Sequence, residues 1–579
     1  ALVEAHPELD GAPGAALSRQ IAGDLAARHV RWGWDEPVFD PAQRRHEAEA
    51  AITALEAMRR VDPGDQRTAA DLVLAYRLAE RMTDAIALWK TIARDDAPYW
   101  LRNAAADAYL AERQPAKAEE LYRSFAGERA ASREPWMGIY WAAIEQRHYA
   151  DAEAALRELA KVPGQELAAE LQRGWLLLYS DRTAAAQAHF DALADRYPGD
   201  PEVRSGLVTA QLWQGWPRRG LRGLQELIAR TPANAPSVDN APARISRAGA
   251  LSSLGDLAAA RREADDLAAR YPQNLHARRL QRDVDTVLSP EVRLEGRYDT
   301  SDRGLGESQA QLEVSMPVGA RARVAAGGHG SSSQDDRYSL GDVQDAYLGL
   351  VVRPRRWLRV SGEASVDAAQ NRLDHDPAWR AGVAWLPDDR WRVDAGYASG
   401  TWRELPLRAR AAGLVADTMD LGVAYTPSLR WNARAAAGYS NVSDGNVRRW
   451  GLLGGQLLAH QGPFYRAYVG AEVYASDSSR TDVPYYSPRR DRSASLTHRS
   501  EWVTNNSPER RHTFSLLLTA GVYDEDGFDA GPVGGAWLQS DWDLTGRTAL
   551  VVGAGARSQL YDGTRELDPR WYVTVRRRF

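Results

Sequence analysis

The stretch PFYRAYVGAEVYASD, residues 463–477, decides how half of the chain is read. Tyr465, Ala467, Val469, Ala471 and Val473 fall on one side of an extended backbone; Arg466, Tyr468, Gly470, Glu472 and Tyr474 fall on the other. A period of two belongs to a strand whose faces meet different surroundings. The same alternation runs through RWLRVSGEASV (356–366), WRVDAGYAS (391–399), DTMDLGVAYTP (417–427) and HTFSLLLTAGVYD (512–524). Strands of a soluble sandwich average five or six residues. These run about nine to eleven, the length that crosses a bilayer at a tilt.

Working outward from that segment, sixteen strands are expected after Leu288, the first from near Glu291, the fourth from near Gln344, the last from near Pro569. An even number suits a bacterial transmembrane barrel. Tight turns such as PVGA, RPR, LPDD, TPSL, HQG, NNSPE and LTG alternate with longer polar loops, GHGSSSQDDRYSLGDV (328–343), SGTWRELPLRARAAGLVA (399–416) and SDSSRTDVPYYSPRRD (476–491). Short turns on the periplasmic side and long loops outside are the barrel habit. Trp357, Trp379, Trp385, Trp391, Trp431 and Trp571 are expected near the short turns, as an interfacial girdle. The final RWYVTVRRRF would pair with the first strand so that no edge remains. Its terminal Phe579 resembles the aromatic C-terminus by which outer-membrane barrels are recognised for insertion, which makes the barrel-assembly machinery an expected partner.

The first half has another period. Ala51, Ala85, Ala118, Ala152, Ala186, Gly220 and Ala260 recur at spacings of 34, 33, 34, 34, 34 and 40 residues. Four residues later stand Leu55, Trp89, Tyr122, Leu156, Phe190, Leu224 and Ala264; proline follows at or beside the twelfth place in six repeats. A small residue lets paired helices approach, a large one fills the groove, and proline ends the helix. ADAEAALRELAKVPG and AAAQAHFDALADRYPGDP resemble the tetratricopeptide repeat family. About seven repeats are expected over 35–285, without a regular glycine in the first helices. Such a solenoid offers a concave surface to partners. The fold class is therefore multidomain α + β. An all-α tetratricopeptide superhelix over 1–288 precedes a 16-stranded antiparallel transmembrane β-barrel over 289–579.

Composition excludes several functions. The 73 basic and 78 acidic residues argue against a nucleic-acid partner. The absence of cysteine removes disulfides, thiol catalysis and cysteine metal sites. The opening ALVEAHPELDG lacks a basic start and an apolar core, so a leader is expected to have been cleaved or the chain to begin inside a longer protein. The eleven histidines are scattered without H-E-x-x-H, and GYSNVSDG is not a nucleophile elbow. VVGAGARS lacks the third glycine of a dinucleotide loop. YDEDGFD (523–529) starts like a calcium loop, but Gly535 stands where its last ligand is needed. No catalytic residue, cofactor or metal is expected.

Sixteen strands leave an aqueous channel. Alternation places Glu295, Glu313, Glu363, Asp394, Asp420, Glu472, Glu501 and Asp541 on its wall, with Tyr468, Tyr474 and Trp537 and with six arginines, Arg293, Arg297, Arg359, Arg392, Arg466 and Arg499. Charge interleaved with aromatic faces suits a hydrated, weakly held polymer such as a glycan, since many weak sites pass a chain that one tight site would trap.

Repeats followed by such a barrel resemble the bacterial exopolysaccharide exporters, the poly-N-acetylglucosamine export porins among them. DVPYYSPRRDRSASLTHR (482–499) looks like that family's Tyr-aromatic-x-Pro-basic-basic-Asp stretch, here Tyr485, Tyr486, Pro488, Arg489, Arg490 and Asp491. The repeat array is shorter than in the family, which implies a truncated amino terminus. The resemblance implies an outer-membrane porin with its repeats in the periplasm, exporting partly deacetylated poly-β-1,6-N-acetylglucosamine for biofilm matrix. It implies a periplasmic deacetylase docking on the repeats, and acidic wall residues that attract the partly cationic cargo. The six inward arginines count against a purely acidic tunnel. Export of another glycan such as cellulose, or translocation of a surface lipoprotein, are the alternatives.

Overall fold

The computed structural model describes residues 24–25, 41–92, 97–230, 241–270, 275–301, 306–335, 338–367, 377–506 and 510–579. Fourteen helices run from Pro41 to Val287 among them. The seven small residues of the repeat are all buried, as are the seven partners four places on, Tyr122 and Phe190 among the largest fully buried side chains. Glycine does mark three successive first helices. A Cβ on Gly138 would stand 2.4 Å from the Tyr122 ring, and one on Gly174 or Gly206 would stand 2.4 or 2.1 Å from Phe190. Those glycines lie 36 and 32 residues apart, which is why a strict 34-residue ruler passes over them.

The turn inside each repeat shows the period most cleanly. Glu80, Arg113, Arg147, Asp181, Gly215 and Gly255 adopt left-handed backbone, with φ from 56° to 83°. Their spacings, 33, 34, 34, 34 and 40, are those of the buried small residues. Beside five of them, the next N–H bonds the carbonyl five residues back: Arg81 to Tyr76, Gln114 to Tyr109, His148 to Ala143, Trp216 to Gln211 and Asp256 to Leu251. This C-terminal cap satisfies carbonyls that the ending helix leaves free.

The strands are β1 (Glu291–Thr300), β2 (Gly306–Val318), β3 (Ala322–Asp335), β4 (Tyr338–Arg355), β5 (Leu358–Asp367), β6 (Ala378–Trp385), β7 (Trp391–Thr401), β8 (Ala416–Ser428), β9 (Trp431–Val442), β10 (Val447–Gln461), β11 (Tyr465–Ser478), β12 (Arg490–Asn506), β13 (Arg511–Glu525), β14 (Gly531–Asp543), β15 (Thr548–Tyr561) and β16 (Thr564–Arg578). Each pairs antiparallel with its neighbours in sequence, and β1 closes on β16 from Glu291↔Arg578 to Asp299↔Arg570. The Phe579 N–H donates to the Pro290 carbonyl at 3.1 Å, so the last residue is tied to the start of β1.

Three expectations are corrected. Strands span 8 to 18 residues rather than nine to eleven, because several rise well beyond the bilayer. GHGSSSQDDRYSLGDV is mostly strand, β3 continuing to Asp335 and β4 starting at Tyr338, since serine and glycine tolerate a paired strand outside lipid as well as a loop. Trp379, second in β6, lies tilted beside Tyr397 with ring centroids 5.0 Å apart, at the end of β6 away from the turn to β7, and Trp571 lies beside Tyr298 towards the outer end of β1. Both thus sit on the outer side. The inner girdle is built by Trp391, Tyr425, Trp431, Tyr465, Trp502 and Phe514, with neighbouring rings 4.4–5.7 Å apart where they touch.

Residues group into two compact units. The second contains the barrel together with Leu207–Ile228 and the helices from Ala241 onward. Inside this unit the helix Pro217–Arg230 begins on a barrel turn: Asp389 accepts from the Arg218 and Arg219 N–H groups, both at 2.9 Å. A carboxylate there satisfies two free amides and complements the helix dipole. Trp216 Nε1 donates to the Pro427 carbonyl at 2.8 Å. Asp256, which also caps the helix Leu257–Arg270, takes two bonds from Arg356, at 2.9 and 2.6 Å. Burial raises the Asp256 carboxyl, but Arg356 outweighs it and holds the group below the usual carboxylate range.

Candidate functional site

Outward positions carry apolar side chains in the open, Leu348 at 70% exposure and Leu496 at 68% being the extremes. Water would penalise that arrangement and hydrocarbon rewards it. Their chain neighbours therefore face the lumen, where the expected wall residues are found. Most are engaged. Arg293 holds Glu295 at 2.8 Å, Arg392 holds Asp394 at 2.7 and 2.8 Å, and Arg434 holds Glu472. Arg499 reaches Glu501 at 3.2 Å and lies 4.2 Å over the Tyr468 ring. Glu313 accepts from the Tyr347 hydroxyl at 2.9 Å, and Asp541 from the Gln539 amide. Asp420 lies over Gly396 of the next strand and has no cationic partner among the described residues. The wall is a lattice of ion pairs rather than a free acidic field.

Two outer loops fold inward. Residues 402–415, between β7 and β8, carry the short helix α1 (Leu407–Ala411). Arg403 bridges Asp345, at 3.0 Å, and Glu363, at 2.6 Å. Arg410 forms a buried two-pronged pair with Glu307 at 2.7 and 3.1 Å. Residues 479–489 meet this loop from the other side. Leu405, Ala409, Ala416, Val442 and Tyr485 make a small apolar core with Leu414 and Val483. An apolar cluster inside a polar lumen is a plug.

The loop motif divides by depth. Pro488 and Asp491 are buried; Arg489 and Arg490 are exposed. Tyr485 donates to Asp444 and accepts from Asn446, both at 3.1 Å, so it serves the plug. Tyr486 shares a 2.6 Å bond with Tyr523 and meets Tyr561 edge-on at 5.0 Å. Burial, then the Tyr523 hydroxyl, push the Tyr486 phenol up, and it stays neutral. Asp491 accepts from Ser476 and from Tyr523.

Below the loop lies a cavity of about 610 Å³, whose lining includes Tyr474, Tyr486, Tyr523, Trp537 and Tyr561 with Glu472, Asp491, Arg448 and Arg570. Trp537 stacks on Tyr572 at 5.6 Å with planes 11° apart. A second cavity of about 400 Å³ contains Asp420, Tyr474 and Tyr486. Aromatic faces next to fixed acceptors and donors are the chemistry that holds sugars: rings for C–H faces, polar groups for hydroxyls. Sequence reasoning did not single out Arg403, Arg410, Glu307, Asp345, Tyr523 or Tyr561. The signal for the first two was available, since strand alternation stops at Trp402 and WRELPLRARAAGL takes helical spacing.

Residues 291–579 match the family described as the PgaA membrane beta barrel domain. No curated protein matches the chain. Among solved structures, one described as a bacterial polysaccharide outer membrane secretin is 19% identical over 50% of this chain and 99% of its own, with a TM-score of 0.46. A tetratricopeptide repeat protein from Parabacteroides merdae is 14% identical over 45% of this chain and 98% of its own, at 0.37. OmpT, an outer membrane protein of Vibrio cholerae, is 9% identical over 50% and 96%, at 0.28.

Proposed function

The chain belongs, through residues 291–579, to the PgaA membrane beta barrel domain family, and from that premise we propose that it exports partly deacetylated poly-N-acetylglucosamine through the barrel lumen. Export of a polysaccharide across the outer membrane is the function of this barrel family. The finer reading rests on one observation, the aromatic and polar cavity beneath an inward-folded loop. In this reading residues 1–288 form a periplasmic repeat domain that docks the deacetylase and collects the polymer. Residues 289–579 form the outer-membrane conduit. The polymer slides past Tyr474, Trp537, Tyr523 and Tyr561, each offering a ring face, while Glu472, Asp491 and Asp420 accept from hydroxyl, amide or ammonium groups. No single contact holds the chain, so it moves by exchanging weak sites. Passage requires residues 402–415 and 479–489 to swing off the lumen, and the Arg410–Glu307 and Arg403–Asp345 pairs are the ties that must open.

The test is a deletion strain complemented by the whole chain. N-acetylglucosamine polymer should reach the cell surface with the wild type and fall by more than half with the double variant W537A/Y474A. Surface polymer that is unchanged by this variant, or absent with the wild type while the barrel is folded, contradicts the proposal.

A further inference from the structure

The plug loop between β7 and β8 fastens itself to the barrel wall through two guanidinium groups. Arg410 is 9% exposed and its partner Glu307 8%. Besides the two-pronged bonds of Arg410, Glu307 accepts from the Gln309 amide at 2.9 Å and from the Ser331 hydroxyl at 2.6 Å. The Trp402 ring centre lies 5.8 Å from the same guanidinium. The second tie repeats the plan. Arg403 lies 5.4 Å from the Tyr347 ring centre and bonds both Glu363 and Asp345, the latter 4% exposed. His329 Nδ1 stands 2.9 Å from the other oxygen of Asp345. Carboxylates and a ring around one positive charge are the groups that recognise a cation, whatever chain carries it.

Each buried carboxylate is held by the wall as well as by the plug, Glu307 by Gln309 and Ser331, Asp345 by His329. Drawing an arginine away therefore leaves a formed acceptor, buried and uncompensated, which is the costly way to open. Exchange for another cation avoids that cost. The Arg410 Nε is buried without an acceptor among the described residues, so the plug's hold uses fewer bonds than a guanidinium offers. Room for an exchanger is present. A cavity of about 100 Å³ is lined by Trp402 and Arg403 of the plug and by Gln309, Ser331, His329 and Glu295 of the wall, so it borders both ties.

We infer that Arg403 and Arg410 hold the places of amine-bearing cargo, so that a free amino group on the incoming glycan releases the plug by taking over Glu307 and Asp345. The inference rests on the export reading for the identity of the traveller, and adds what admits it. A protonated amine brings a charge and three N–H donors to a carboxylate. An acetamido group brings one N–H and no charge, so it leaves the buried carboxylate uncompensated and the plug in place. The plug thus reads the charge of the cargo, whereas the rings of the wall read its sugar faces.

The full chain in planar lipid bilayers is exposed to a β-1,6-linked glucosamine tetramer, and separately to its fully N-acetylated form, at matched ionic strength. The glucosamine tetramer should raise the open probability of wild-type channels several-fold, and the acetylated one should leave it unchanged. R403Q/R410Q should open without any sugar and respond to neither. R410K keeps the charge but loses the two-pronged fit. It should stay closed alone and open at a several-fold lower tetramer concentration. Folding of each variant is checked by the heat-dependent gel shift of the barrel. Equal opening by both tetramers, or wild-type channels that ignore the glucosamine tetramer while R403Q/R410Q opens, overturns the inference and leaves glycan export standing. Double-variant channels as closed as the wild type, or R410K channels that need more tetramer than the wild type, overturn it too. Opening by the amine, with no polymer at the surface of the complemented strain, would keep the gate and remove the export reading.

Discussion

The two halves of this chain use the same apolar side chains in opposite ways. In the repeats Leu156, Leu159, Phe190 and Leu224 are buried to 0% exposure. In the barrel Leu348, Leu453 and Leu496 are 58–70% exposed. Nothing in leucine distinguishes them; period and solvent do. A 34-residue repeat brings one face of each helix onto the next, so burial is internal and the array supplies its own apolar phase. A two-residue alternation around a closed cylinder sends every other side chain out, so the apolar phase must be lipid. A chain that alternates therefore states its solvent, whereas one that repeats states only its neighbours.

The contrast can be broken from either side. Phe190→Ala removes a ring that two glycines accommodate, and is expected to cost the repeats about 3–5 kcal/mol, read as an earlier helical melting transition with the barrel gel shift unchanged. Leu496→Arg, midway along β12, places a charge in hydrocarbon and is expected to cost about 2–4 kcal/mol. It should appear as a lower urea midpoint of the barrel in lipid, with helix content intact. Arg410→Gln leaves Glu307 without its cation and loosens the plug. The expected outcome is a several-fold rise in the open probability of single channels, and closed channels indistinguishable from wild type would refute the plug assignment.

Smaller effects sharpen the same comparison at the second unit's seam. Asp256 has its folded pKa below its unfolded value, so the Arg356 tie is fully present above the usual carboxylate range and is lost as pH falls through the folded pKa. Partial exposure of both partners limits the contribution to about 1 kcal/mol. Hydrogen-exchange protection of the helix Leu257–Arg270, corrected for the intrinsic pH dependence of amide exchange, should thus fall on acidification in the wild type, and should be lower but nearly flat with pH in Asp256→Asn. Smallest of all, Arg113→Gly relieves a left-handed backbone at an exposed repeat turn and is expected to stabilise the helices by about 0.5–1 kcal/mol.

Much of the barrel was legible because alternation is a local signal that repeats: sixteen strands form after Leu288, and β1 begins at Glu291, the very residue read from the pattern. The ends were harder. Gln344 was read as the start of β4, which begins at Tyr338, because outside the bilayer neither face has to be apolar and the pattern fades. The repeat turns hid for a different reason, since Glu80, Arg113 and Arg147 carry no mark of left-handed backbone; only Gly215 and Gly255 do. Inward orientation of Glu363 could be read, but not that Arg403 would claim it, because that arginine arrives from a loop 40 residues away. Long-range pairing leaves no trace in spacing.

The most direct measurement uses the absence of cysteine, which makes any introduced label unique. Single cysteines at residues 468 through 474 of β11, spin-labelled in lipid vesicles, report contact with oxygen dissolved in the bilayer and with a water-soluble nickel chelate. Labels at 469, 471 and 473 should meet oxygen, and those at 468, 470, 472 and 474 the chelate. Uniform access of the chelate to all seven positions would contradict a lipid-facing cylinder, and the conduit with it.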